Sequence, residues 1–140
     1  FSPSRSLFRK WKEVTNVKHI ASDLSGDFIS DVSYDITQIP EKDAQFDLII
    51  CYHILEHVVD DIKAMSELFR VLKPNGTVLI QTPFKDGEIY EDYAITSESE
   101  RLSHFGQEDH VRIYSVDGLK KLVESVGFSI IVNQYKKEEY

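Results

Sequence analysis

Asp23 and Asp35 each close a short apolar run, and His53 and His57 follow directly on a third. A carboxylate at the C-terminal end of a strand can accept hydrogen bonds from ribose hydroxyls, because open α/β sheets bind ligands in the crevice beyond their strand ends. The same aspartate can instead cap a turn or a helix, and neither residue decides the matter alone. Together they favour a nucleoside ligand. His53, Ile54, Leu55, Glu56 and His57 also spell H-x-x-E-H, the pattern of inverted zinc peptidases. In such a site two histidines share a helical face and a further carboxylate completes the ligand set. Here the pattern follows a strand-like run with no helical lead-in, which argues against zinc, and no metal is assigned. The plain alternative is that Ile54, Leu55 and Val58 pack a loop while both histidines stay half exposed.

A third group lies further along, where His104, Gln107, Glu108, Asp109, His110 and Arg112 crowd into one stretch. Asp109 and His110 can orient one another, and Arg112 can grip a carboxylate or phosphate with two parallel hydrogen bonds. Each is equally a solvated loop charge. Cys51 reads as strand packing, since free cysteines are among the most buried residue types. Tyr90 and Tyr93 either cover an apolar pocket or pack their own loop.

The elements that must position these residues alternate between strand and helix. Leu7, Phe8, Trp11 and Val14 have helical spacing from Ser4 to Val14, with Ser4 as N-cap. Val17–Leu24 and Val32–Ile36 are expected strands, with Pro40 closing the connection after the second. Phe46–Cys51 is nearly continuous in apolar residues, as strands covered on both faces are. A helix capped by Asp60 or Asp61 should present Ile62, Met65, Leu68, Phe69 and Leu72 on one face. Lys73, Pro74, Asn75 and Gly76 end it and launch a strand over Val78–Ile80. Residues 84–111 break the rhythm and read as a binding loop or lid. A helix over Val116–Val126, ended by Gly127, precedes an expected strand over Phe128–Val132 and a charged tail, Lys136–Tyr140. Alternation of this kind makes an α/β layered sheet.

A chain of 140 residues holds about one domain. Its formal charge of −8 disfavours an extended nucleic-acid surface, which needs clustered Lys and Arg; a local basic patch at Arg5, Arg9, Lys10 and Lys12 is the exception. The single cysteine excludes an intrachain disulfide framework and points to a reducing, cytoplasmic setting. No apolar run reaches the length of a membrane span. Oligomeric state is not legible.

The order of these motifs resembles the class I S-adenosylmethionine-dependent methyltransferases of the small-molecule type, the methyltransferase domain 11-like group. The resemblance rests on Ile36–Pro40 followed by Gln45–Ile50, on His53–Val58, on Glu67–Gly76, and on His110–Tyr114 leading to Gly127 and Phe128. It implies a Rossmann-like parallel sheet with flanking helices and S-adenosylmethionine as cofactor. Asp23 would then resemble the residue that binds the cofactor ribose, with Ser2 and Leu24 beside it, and Asp35 with Ile36 the pair at the adenine. Cys51 to His53 would line the methionine side. His57 and His110 would face the methyl acceptor as candidate bases, and His104, Gln107, Asp109 and Arg112 would bind a small-molecule substrate. The family's first strand and glycine-rich turn are not among these residues. Phe1–Ser4 resemble the end of a proline-containing variant of that turn. Residues 1–140 are thus expected to form one partial domain, incomplete at its N-terminus, with the lid at 84–111. The absent strand belongs between Val17–Leu24 and Phe46–Cys51, so the natural protein is expected to extend upstream, and a closing strand after Tyr135 is also lacking. Two other functions stay open: a non-catalytic methyltransferase-like interaction module, and a zinc hydrolase working through His53 and His57.

Overall fold

The structure, a computed structural model, describes residues 1–133. Its central element is the parallel pair β1 (Phe46–Tyr52) and β2 (Leu72–Gln81), joined through α2 (Asp61–Val71). Leu48 to Tyr52 pair with Thr77 to Gln81 in unbroken register. The register slips between Phe46 and Leu48, because Leu72 already pairs with Phe46 and the Lys73–Gly76 stretch must be absorbed as a bulge, with Asn75 at a φ of 67°.

Helix α2 begins at Asp60, whose carboxylate accepts from the Lys63 N–H at 3.0 Å. Its inner face is Ala64, Met65, Leu68 and Val71. Met65 and Leu68 match the expected stripe, but Ile62 and Phe69 are half exposed. Phe69 is used at the edge, where it meets Phe128 edge-to-face at 5.1 Å. Each fully buried Met or Leu here contributes about 1.5–3 kcal/mol.

Helix α1 (Arg5–Lys12) is capped by Ser4, as its spacing predicts. Helix α4 (Val116–Ser125) is capped by Ser115 and buries Leu119 and Val123. Gly127 ends this helical stretch at a φ of 111°, and a Cβ there would stand 2.9 Å from the Phe69 ring, so only glycine fits.

Residues 84–111, expected as a loop or lid, contain regular structure. They hold β3 (Tyr90–Glu91), which pairs antiparallel with β4 (Arg112–Ile113), and α3 (Glu98–Phe105), which starts with a full capping box between Ser97 and Glu100.

Three expected strands are corrected. Val17–Leu24 and Val32–Ile36 reduce to a single parallel bridge between Ser22 and Val32. The physical reason is an open groove of about 620 Å³ between Val17–Ser22 and Phe46–Ile50, floored by Ile39 and Val71 and closed at one side by Trp11. With no neighbour in that groove, the Val17 segment has no ladder to join. The same gap leaves Leu48 of β1 exposed, so this strand is not covered on both faces. Phe128–Val132 forms no strand among the described residues; Phe128 and Ile130 pack on the core without a ladder partner. The expected tail Lys136–Tyr140 lies outside the described residues.

Candidate active site

The C-terminal tips of β1 and β2 lie side by side, and the Asp23 segment is drawn to the same edge by the first two residues of the chain. The Phe1 amino group donates to the Ile50 carbonyl at 2.9 Å, and the Ser2 N–H donates to the Ser22 carbonyl at 2.7 Å. Successive donors thus reach in opposite directions, one to β1 and one to the Ser22 bridge. Asp23 is buried, and its carboxylate accepts from the Ser2 hydroxyl at 2.7 Å, the Ser25 hydroxyl at 3.0 Å and the Gly26 N–H at 2.6 Å. Burial pulls the Asp23 pKa upward, yet these hydrogen bonds outweigh it and hold the group below the ordinary carboxylate value.

Leu24 projects into solvent beside it, 63% exposed. Asp35 is exposed and bonds the N–H and hydroxyl of Thr37, an Asx turn that depresses its pKa; its carboxylate remains open to solvent. Ile36 is buried in the main core together with Cys51. Burial pushes the Cys51 thiol up to about 12, which fits the packing role better than a ligand contact through sulfur.

His53 stands at the tip of β1 with a φ of 54°, unusual for a residue with a side chain. Its N–H donates to the Gln81 carbonyl at 2.7 Å, and its Nδ1 lies 3.2 Å from Glu56 Oε1. Glu56 is buried; the Thr82 hydroxyl donates to its other oxygen at 3.0 Å. The residues after His53 form a short 3-10 turn, Leu55–His57, instead of the helix a zinc peptidase pattern requires.

His57 and His110 come together. Their rings meet edge-to-face at 4.6 Å, and Asp109 Oδ2 lies 3.0 Å from His57 Nδ1. Val111 ties this segment back by donating to the Glu56 carbonyl at 2.9 Å. Among the described residues, Glu56, His57 and His110 offer ligand atoms within 4.8 Å of one another, a grouping that uses His110 and leaves out His53.

The other candidates from residues 104–112 separate. His104 is exposed and pairs with the Tyr90 hydroxyl at 2.6 Å, while Tyr90 packs on Phe105 and Tyr93 faces solvent. Gln107 and Asp109 border a shallow depression with Leu102. Arg112 takes a different place from a surface anion clamp: it is 1% exposed, and its guanidinium donates to the carbonyls of Val58 and Val59, to Glu91 at 3.0 Å, and lies 3.4 Å from Asp61. Its donors are spent on holding the loop after β1. Tyr114, buried beside it, donates to Asp61 at 2.6 Å, and burial together with that carboxylate raises its pKa.

Sequence reasoning passed over Glu56 and Thr82 as site residues. Glu56 was visible only as the fourth residue of H-x-x-E-H, and Thr82 carried no signal beyond following a strand.

A parallel strand pair with crossover helix, and polar residues collected beyond the strand tips, define a Rossmann-like α/β ligand-binding fold. Comparison with known proteins narrows this. Residues 6–133 match the family model described as a methyltransferase domain, and the chain belongs to that family. It is 30% identical over 99 residues to a probable S-adenosylmethionine-dependent methyltransferase of Mycolicibacterium smegmatis, covering 69% of this chain and 34% of that one. It is 32% identical over 103 residues to the ubiquinone/menaquinone biosynthesis C-methyltransferase UbiE of Proteus mirabilis, covering 70% and 38%. The chain thus spans about a third of the length of these curated relatives. Among solved structures, a Thermotoga maritima S-adenosylmethionine-dependent methyltransferase, possibly a histamine N-methyltransferase, superposes with a TM-score of 0.61 at 19% identity, covering 78% of this chain and 54% of that one. That likeness supports the fold.

Proposed function

We propose that the protein transfers a methyl group from S-adenosylmethionine to a small acceptor. The observation that carries this reading is Asp23, a buried carboxylate tethered by Ser2 to the edge where β1 ends. Its oxygens are acceptors, which suits a ligand whose ribose hydroxyls are donors. Asp23 and Ser2 would hold the ribose, Leu24 and the Asp35–Ile36 turn the adenine, and His53 the methionine side.

When bound, the cofactor supplies an electrophilic sulfonium methyl. The protein's part is then to align the acceptor, exclude water and manage one proton. Asp109 beside Nδ1 of His57 leaves Nε2 to take a proton from a hydroxyl or amine acceptor, and His110 braces the ring from the side. Arg112 keeps this loop in place from beneath. His104 and Gln107 would meet the acceptor only through movement of the lid.

We further infer that an extended segment pairs in the groove between Val17–Ser22 and β1, completing a continuous sheet. Exposed Leu48 and the edge of β1 that faces the groove, unpaired among the described residues, support it.

The test is thermal denaturation of the full-length protein with S-adenosylhomocysteine. At a hundred times its dissociation constant the ligand adds about 2.7 kcal/mol of stability. A flat response would favour the non-catalytic interaction module.

A further inference from the structure

Glu56 joins three elements at once. Its side chain, 1% exposed, accepts from Thr82 beyond the tip of β2 and meets His53 beyond the tip of β1, and its backbone carbonyl receives Val111 on the way into β4. A carboxylate so deeply buried is tolerated only when its oxygens are satisfied. Both are, and one of the two partners is the strained residue of the strand tip. His53 holds a left-handed backbone conformation that costs about 1–2 kcal/mol in a residue with a Cβ. Such strain persists where surrounding bonds over-determine it, here the Gln81 carbonyl on the backbone and Glu56 on the ring.

The pairing bears on the chemistry of the ring. With a carboxylate oxygen of Glu56 as the acceptor, Nδ1 of His53 carries the proton between them. In the neutral ring Nε2 then keeps its lone pair. His53 has no other side-chain hydrogen bond among the described residues, and its side chain is 56% exposed.

We propose that Glu56 is a positioning residue of the cofactor edge: it holds His53 in the Nδ1–H tautomer at the tip of β1, so that Nε2 accepts a hydrogen bond from the α-ammonium group of the cofactor's amino-acid end. The inference rests on the methyltransferase reading and adds to it a recognition element for one charged group of the ligand. Thr82 completes the device by holding the second carboxylate oxygen.

Two measurements on the full-length protein test it. Long-range nitrogen–proton NMR of the unmodified protein at pH 8 reads the His53 tautomer directly: protonated Nδ1 with bare Nε2 is expected, and protonated Nε2 overturns the proposal without any variant having to fold. Calorimetry then compares S-adenosylhomocysteine with its analogue lacking the α-amino group. The unmodified protein should prefer the parent ligand about tenfold or more, and Glu56→Gln and His53→Ala should each shrink that preference to about threefold or less. Equal affinity for the two ligands overturns the role of Glu56 while leaving the cofactor assignment standing. Failure to bind either overturns both.

Discussion

The Ser2 hydroxyl donates to Asp23 Oδ1 at 2.7 Å, next to the point where the Phe1 amino group meets β1. That bond joins the Asp23 segment and the central strand pair at one edge, although a groove separates them along the rest of their length. The cofactor reading depends on this junction.

Asp23→Ala removes the acceptor at that junction. In the full-length protein it should weaken S-adenosylhomocysteine binding by about 1–3 kcal/mol, read by calorimetry. Unchanged affinity would take the ribose role away from Asp23.

Arg112→Met tests whether this residue supports the loop or binds substrate. Removing the guanidinium takes the donor from the carbonyls of Val58 and Val59 and the cationic partner from Glu91 and from Asp61, which keeps only its bond from Tyr114. Stability should fall by about 3–5 kcal/mol in urea denaturation. A variant of normal stability that loses only affinity for the acceptor would restore the anion-clamp role.

Acid should destabilise the fold through specific carboxylates. The Arg70 side chain on Glu67, the Lys12 side chain on Asp31 and Thr37 on Asp35 hold these groups below their ordinary pKa values, as hydrogen bonds do for Asp23 against its burial. A pKa lowered on folding adds stability that is present above the unfolded value and is lost as pH falls through the folded one. The melting temperature should therefore hold near neutrality and drop steeply below about pH 4. A flat profile from pH 6 to pH 3 would contradict these assignments.

Cys51 should be inert in the native protein. Its thiol is buried and its pKa is pushed up to about 12, so the thiolate that reacts with disulfide reagents is scarce at pH 8. Modification should proceed at the rate of unfolding and become fast in denaturant. Rapid labelling under native conditions would mean that β1 opens far more readily than its packing implies.

Helices α1, α2 and α4 were legible because their evidence is local, whereas α3 lies in a stretch expected to be a loop. Ser4 and Asp60, both expected caps, each cap the helix that follows, and the spacing of Met65 and Leu68, and of Leu119 and Val123, gives the buried faces. The pair β1–β2 was legible for the same reason, although Lys73–Gly76, expected as a turn ahead of a strand at Val78–Ile80, lie within β2 as a bulge. Val17–Leu24 was not, since a strand exists only with a neighbour and its apolar pattern says nothing about whether one is present. Arg112 misled because a long charged side chain looks the same in sequence whether it meets solvent or loop carbonyls more than fifty residues away. His57 and His110 were each singled out, but their ring contact and the part of Asp109 needed coordinates. Glu56 stayed hidden inside a motif that suggested different chemistry.

The central claim is that Asp23, the tip of β1 and the tip of β2 share one crevice for an adenosyl ligand. Amide hydrogen exchange of the full-length protein with and without S-adenosylhomocysteine tests it most directly. Protection should concentrate at residues 22–26, 51–53 and 82, with little change on the outer face of α2 or in α1. Protection confined to other surfaces, or none at a saturating concentration of ligand, would contradict it.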